Sequence, residues 1–263
     1  MHFTKMHGLG NDYLYVYGEV PENIKELSVK LSERHFGAGS DGMIYISPSY
    51  IADFKMRIFN ADGSEAKMCG NGIRCVGKYV YDKGYTDSTI LKVETLSGIK
   101  TLGLDVRNGK VREVTVGMGV AEVSDDLVLN IDGEDYAVTP VSVGNPHIVT
   151  FVEDVDKVAL DRIGTKFEHH PAFPDGVNTE FVQVLSENKV RMRVWERGSG
   201  ITMACGTGAC ATAAAAIAKG YCSFNSPITV ILDGGPLTIF VEENYAVTMR
   251  GPAEFIYEGE VEE

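Results

Sequence analysis

Two stretches of the chain, KMCGNGIRCVGKYVYDKGY at 67–85 and MACGTGACATAAAAIAKGY at 203–221, share a cysteine, a Gly-x-Gly and a closing Lys-Gly-Tyr at a constant offset of 136. The correspondence runs beyond them. MRIFN at 56–60 falls on MRVWE at 192–196, and eight of the thirty positions from Met56 to Tyr85 are identical to their mates. At an offset of 134, Gly10-Asn11 falls on Gly144-Asn145 and Asp41-Gly42 on Asp175-Gly176; at 132, Gly119-x-Ala121-Glu122 falls on Gly251-x-Ala253-Glu254. The order is kept while the offset drifts by only a few residues, which is the signature of a duplicated unit rather than of chance likeness at one motif. The 263 residues therefore read as two versions of one smaller domain.

Each copy mixes strand and helix signals. Runs such as DYLYVY, DGMIYIS and FKMRIFN, and PHIVTFV, TEFVQVL and KVRMRVWE in the second copy, are β-branched or alternating and are punctuated by Gly, Asn and Asp turns. IKELSVKLSERH at 24–35 has helical periodicity. Hairpin signals outnumber strand–helix alternations, so the expected class is α+β: two pseudo-symmetric domains, each a curled, mostly antiparallel, barrel-like β-sheet around a central α-helix.

Composition narrows the partners. A net charge of −13, from 37 acidic and 24 basic residues, repels a phosphate backbone, so nucleic acid is not an expected partner. No apolar run approaches the roughly 18 residues that span a bilayer, and the N-terminal MHFTKMHGLGNDYLYV lacks the pattern of a secretory signal; no membrane partner and a cytoplasmic location are expected. Five cysteines, an odd number, argue against a disulfide framework. Their closer pairs are spaced C-x5-C and C-x4-C, without the C-x2-C knuckle of structural zinc, so no metal is expected.

The chemistry concentrates at the repeated motif. Gly70-Asn71-Gly72 and Gly206-Thr207-Gly208 open helical stretches, which places Cys69 and Cys205 at helix N-termini, where unbonded amides and the helix dipole favour negative charge. Such a position lowers a thiol pKa and offers a cradle for a carboxylate. Two such motifs on either side of one small ligand suit inversion at carbon: one thiolate removes the α-proton and the opposite thiol returns a proton to the other face. No lysine stands where a pyridoxal Schiff base demands one and no dinucleotide-type glycine motif is present, so no cofactor is expected. Cys75, Cys210 and Cys222 lie within or beyond their helices and read as small buried apolar groups. Paired cysteines also admit a thiol-redox or metal-binding protein as a second class.

At these residues the chain resembles the diaminopimelate epimerases, cofactor-independent enzymes of lysine and cell-wall precursor synthesis. The resemblance is carried by KMHGLGNDY, FNADGSEAKMCGNGIRC, VGNPHIV, GVNTEF, WERGSG and ACGTGACA, in the family's order from residue 5 to 211. It implies interconversion of LL- and meso-diaminopimelate by two acid/base cysteines, Cys69 and Cys205. It places substrate contacts at Asn11, Asn60, Asn145, Asn178, Glu196 and Arg197, with backbone groups of Gly70, Asn71, Gly206 and Thr207 at the carboxylate beside the reacting carbon, and makes His147 and Glu196 helpers of the cysteines. It further implies a homodimer, and halves comprising residues 1–117 with 250–263 and residues 118–249. Asn60 and Glu196 are repeat mates, so one scaffold carries different chemistry in its two copies. Arg197, whose mate is Ala61, suits bidentate capture of the distant carboxylate. His7 reads as structural. Two positions depart from the commoner family pattern: Gly42 stands where some members have glutamine, and Thr207 where serine is commoner. The alternative within the same chemistry is a racemase of another amino acid, similar to proline racemase.

Overall fold

The protein is described here from a computed structural model, in which residues 1–261 are described. It divides into two compact units, one formed by Met1–Gly117 with the chain from Gly251 onward, the other by Met118–Arg250.

The first unit contains β1 (His2–Gly8), β2 (Asn11–Tyr17), α1 (Ile24–Ser32), β3 (Gly42–Pro48), β4 (Phe54–Asn60), β5 (Glu65–Ala66), α2 (Gly70–Asp82), β6 (Ile90–Thr95), β7 (Gly98–Arg107) and β8 (Lys110–Val120). The second contains β9 (Glu122–Val123), β10 (Leu127–Ile131), β11 (Glu134–Ser142), β12 (Pro146–Phe151), α3 (Leu160–Glu168), β13 (Asn178–Ser186), β14 (Lys189–Glu196), β15 (Gly200–Ile201), α4 (Gly206–Ala218), β16 (Ile228–Leu232), β17 (Gly235–Val241) and β18 (Ala246–Pro252). The last strand, β19 (Glu254–Glu260), pairs antiparallel with β1 in the first unit.

The duplication governs the pairing. In the first unit β1–β2 is antiparallel, β2–β3 parallel, β3–β4 antiparallel, β4–β6 parallel, and β6–β7–β8 antiparallel. The second repeats this order through β11–β12, β12–β13, β13–β14, β14–β16 and β16–β17–β18. A parallel pair needs a crossover, and each of the four crossovers carries one α-helix, the β12–β13 crossover adding a 3-10 turn at Val155–Lys157. In each unit the sheet is thus curled and predominantly antiparallel, with one central helix, as the turn signals predict.

Side-chain alternation along the strands sends successive residues to opposite faces. In β13, Phe181 joins Ile148, Ile163 and Phe167 in the cluster beneath α3, while its neighbour Glu180 points towards α4. In β3, Met43 and Tyr45 join Leu14 and Leu31 beneath α1, while Ile44 points towards α2. The central helix α4 is almost wholly buried, which explains its run of alanines: a helix enclosed on every side is apolar all round, and small side chains let the strands close in.

Both central helices have 13 residues and end alike. Gly84 and Gly220 adopt φ of 80° and 75°, and the amides of Tyr85 and Tyr221 reach back to the carbonyls of Val80 and Ala216 at 2.9 and 2.8 Å. This is a Schellman ending, and it accounts for the repeated Lys-Gly-Tyr. α1 is shorter than its periodicity predicts. The chain leaves it at Glu33 and folds back over its end, the Gly39 and Ser40 amides bonding the carbonyls of Leu31 and Ser32 at 3.0 and 3.1 Å. Gly37 passes so close that a Cβ there meets the Lys30 carbonyl oxygen at 2.4 Å. Among the described residues no helix is long and apolar enough to cross a membrane.

Candidate active site

Both motif cysteines are N-caps. The Gly72 amide donates to Cys69 Sγ and the Gly208 amide to Cys205 Sγ, each at 3.3 Å, so sulfur takes the place usually filled by a Ser, Thr, Asp or Asn oxygen. The sequence expectation of a cysteine at each helix N-terminus is met, and the two units differ in what surrounds the sulfur.

In the first unit the Cys69 thiol donates to Asn11 Oδ1 at 3.3 Å. Asn11 starts β2 immediately after a two-residue turn in which Leu9 and Gly10 both have positive φ, 57° and 87°, the geometry of a type I′ hairpin. Its amide is oriented by Asp41, whose Oδ2 accepts from Asn11 Nδ2 at 2.9 Å and from the Asp12 amide at 3.0 Å. Burial holds the Asp41 carboxyl above its ordinary range. Asn60, at the end of β4, donates from Nδ2 to Ser64 Oγ at 3.0 Å. Opposite Asn60 in the sheet is Gly42, where a Cβ meets the Phe59 carbonyl oxygen at 2.1 Å, so the backbone leaves no room for a side chain at this position.

In the second unit Cys205 is buried. Its sulfur lies 3.5 Å from Thr207 Oγ1, and Thr207 Oγ1 accepts from Asn145 Nδ2 at 3.4 Å. His147 Nε2 lies 3.1 Å from Asn145 Oδ1 and His147 Nδ1 lies 2.7 Å from Glu180 Oε1. Glu196, ending β14, accepts at Oε1 from the Thr202 hydroxyl at 2.5 Å. Burial pushes the Glu196 carboxyl up, and the Glu180 charge adds to the effect. Burial likewise raises the Cys205 thiol well above the ordinary thiol range, followed in size by the carboxylates of Glu196 and Glu180. The expectation that a helix N-terminus lowers this thiol's pKa is therefore reversed at Cys205: desolvation and two carboxylates outweigh a dipole contribution worth at most about 2 kcal/mol.

Asn178 begins β13 and bridges two backbone segments, donating from Nδ2 to the Pro146 carbonyl and accepting at Oδ1 from the Arg197 amide, both at 2.9 Å. Arg197 donates from Nη1 to the Asp175 carbonyl at 3.0 Å, and its methylenes lie over Gly176, where a Cβ meets Arg197 Cδ at 2.9 Å. Asn11 touches the Cys69 sulfur and Gly70 and Asn71 follow it in the chain, while Asn60 belongs to the same unit and is held by Ser64. Asn145, His147, Asn178, Glu196, Arg197, Gly206 and Thr207 belong to the second. Cys75, Cys210 and Cys222 are buried, and burial lifts the Cys75 thiol to about 11.

The model of the diaminopimelate epimerase family matches residues 3–124 and 139–256. Proteins named diaminopimelate epimerase are 51% identical to the chain in Acetivibrio thermocellus, covering 100% of this chain and 99% of that relative, and 53% identical in Parabacteroides distasonis, covering 98% and 96%. The chain belongs to the diaminopimelate epimerase family. Solved structures share the fold at low identity: a hydroxyproline epimerase from Agrobacterium vitis has a TM-score of 0.73 at 17% identity, covering 98% of this chain and 91% of that one. A phenazine biosynthesis protein of the PhzF family from Bacillus anthracis has a TM-score of 0.75 at 17% identity, covering 99% and 98%.

Two acidic residues escaped the sequence reading of this family member. Asp41 was visible only as a repeat mate of Asp175, and Glu180 lay inside Thr179–Val182, a stretch buried on both faces. The available signal is that Glu180 is the single charged residue of its strand.

Proposed function

We propose that the chain interconverts LL- and meso-diaminopimelate without a cofactor, using Cys69 and Cys205 as paired acid and base on opposite faces of one α-carbon. The observation that carries the reading is the pair of cysteine N-caps on duplicated helices, within a chain about half identical to proteins of that name over its full length.

In this reading the carboxylate beside the reacting carbon docks on the backbone of Gly70, Asn71, Gly206 and Thr207, where helix N-termini favour an anion. One sulfur, as thiolate, takes the α-proton; the electron pair left on carbon is delocalised into the docked carboxylate, whose growing charge those amides stabilise. The other sulfur, as thiol, delivers its proton to the opposite face. The enzyme is left with thiol and thiolate exchanged, and either proton exchange of the two sulfurs with solvent or the reverse reaction restores it. Burial and two carboxylates favour the protonated form of Cys205, which suits it to the donor's part. Asn11, held by Asp41, sets the Cys69 sulfur. Asn60, Asn145, Asn178 and Glu196 bind the substrate's polar groups, Arg197 reads the distant carboxylate, and His147 and Glu196 support the cysteines.

The same reading carries a homodimer working in the cytoplasm without nucleic-acid or membrane partners; sedimentation of the purified protein checks the dimer. The activity is tested by incubating the protein with LL- and meso-diaminopimelate, and separately with proline, and following stereochemistry. Turnover of both diaminopimelate isomers and not of proline is expected. Turnover of proline alone overturns the substrate assignment in favour of a proline-racemase-like enzyme.

A further inference from the structure

The two half-sites are built on equivalent glycines with opposite neighbours. Gly72 and Gly208 are repeat mates, each donating its amide to the motif cysteine. Beneath Gly72 the nearest atom to an added Cβ is Ile44 Cδ1, at 2.7 Å; beneath Gly208 it is Glu180 Oε1, at 2.6 Å. Ile44 and Glu180 stand at the same offset of 136 as the cysteines. One copy of the duplicated scaffold therefore has a methyl group under the first turn of its central helix, and the other has a carboxylate.

A carboxylate with 0% exposure is costly to bury, and it persists where partners compensate it. Glu180 Oε1 meets His147 Nδ1 at 2.7 Å, with both side chains fully buried. Glu180 Oε2 has no partner in the protein, so the contact to His147 through Oε1 is the one that holds the carboxylate. From His147 the contacts continue through Asn145 to Thr207 Oγ1, and from there to the Cys205 sulfur. The contact to the carboxylate fixes the imidazole's orientation and sets its Nε2 edge against the Asn145 side-chain amide, whose Nδ2 donates to Thr207 Oγ1.

We propose that Glu180 is a positioning residue for the second cysteine, its buried carboxylate anchoring the His147–Asn145–Thr207 chain that sets the Thr207 hydroxyl against the Cys205 sulfur. This rests on the reading that Cys205 is one of the two acid/base groups, and it adds a residue to that site which touches neither substrate nor sulfur by a hydrogen bond. The charged and titratable groups around it are His147 from β12, Glu196 from β14 and Cys205 from α4. Glu168 of α3 is committed elsewhere, to the Trp195 indole and the Gly198 amide. A negative charge at Glu180 disfavours the thiolate of Cys205, so the same residue that orients the chain also biases this sulfur towards the proton-bearing form. The first half-site, with Ile44 in the equivalent place, has no such bias from this position.

The experiment uses Glu180→Gln, which keeps size and a hydrogen-bonding oxygen while removing the charge, and Glu180→Ile, which copies the residue of the other half. Alkylation of each cysteine by iodoacetamide is followed against pH by peptide mass spectrometry, alongside kcat and KM. Both variants are expected to shift the Cys205 alkylation midpoint to lower pH and leave that of Cys69 in place. For Glu180→Gln, kcat is expected to fall about tenfold or more, as for loss of a group orienting a functional histidine, with KM within about twofold. A Glu180→Gln/His147→Gln double variant is expected to be hardly worse than His147→Gln alone, because links of one chain are not additive. An unmoved Cys205 midpoint, equal shifts at both cysteines, or additive losses in the double variant overturn the proposal. The alkylation measurement needs no substrate, so it decides the role of Glu180 even if the diaminopimelate assay fails.

Discussion

The different floors beneath the two central helices make one pair of substitutions diagnostic. In Gly208→Ala the new methyl meets Glu180 Oε1 at 2.6 Å and both Cβ and Sγ of Cys205 at 3.2 Å. Glu180 cannot retreat without breaking its 2.7 Å contact with His147, so the strain passes to Cys205. In Gly72→Ala the methyl meets Ile44 Cδ1 at 2.7 Å and Met56 Cε at 3.1 Å; both are ends of flexible side chains, and rotation relieves them. Overpacking of a rigid site costs about 1–3 kcal/mol, against a helix-propensity gain for alanine of at most about 1 kcal/mol. Gly208→Ala is thus expected to be destabilised by about 1–2 kcal/mol, a fall in melting temperature of about 2–8 °C for a chain of this size. A cysteine moved by about 1 Å loses on the order of 100-fold in rate. Gly72→Ala is expected to melt near the parent and lose less than about fivefold, as its propensity gain offsets a relieved clash. Calorimetry and initial rates of LL-diaminopimelate epimerisation measure both. Equal losses in the two variants, or a fully active Gly208→Ala, refute the reasoning.

Cys69→Ser and Cys205→Ser are each expected to lower epimerisation by about 100-fold or more, the ordinary worth of a positioned acid or base, while Cys75→Ser and Cys222→Ser stay near the parent rate. Arg197→Lys is expected to raise KM by about tenfold or more with a smaller change in kcat, because a point charge replaces a planar fork; steady-state kinetics on both isomers separate the two constants. Burial raises the Cys75 thiol from 9.0 to about 11, so the unfolded chain ionises first as pH rises. The stabilisation is complete below pH 9 and is lost by about pH 11, a change of about 3 kcal/mol at 1.36 kcal/mol per unit. Urea unfolding from pH 8 to 11 is expected to show a shallower decline in Cys75→Ala than in the parent.

The architecture was legible because duplication doubled every local signal. Cysteine followed by Gly-x-Gly wrote the helix start twice, and Lys-Gly-Tyr wrote the Schellman ending twice. The candidate residues Asn11, Asn145, Glu196 and Arg197 stood beside turns or strand ends that the pattern marks. What the sequence concealed depends on neighbours distant in the chain. The upward shift of the Cys205 thiol follows from burial beside Glu196 and Glu180, which no helix-end argument contains. The closing of the backbone over Gly42 depends on Phe59 across the sheet. The helix at 24–35 stops early because a glycine five residues beyond its last turn folds back upon it, a contact that periodicity does not encode.

The central claim is that inversion passes a proton in on one face and out on the other through two different sulfurs. Mass spectrometry of both isomers during the first turnovers of LL-diaminopimelate in heavy water tests it most directly. The account predicts one deuterium at the inverted carbon of every meso molecule formed, with recovered LL-diaminopimelate still unlabelled. Meso product that retains the substrate's own hydrogen, or deuterium entering the LL isomer before any inversion, contradicts it.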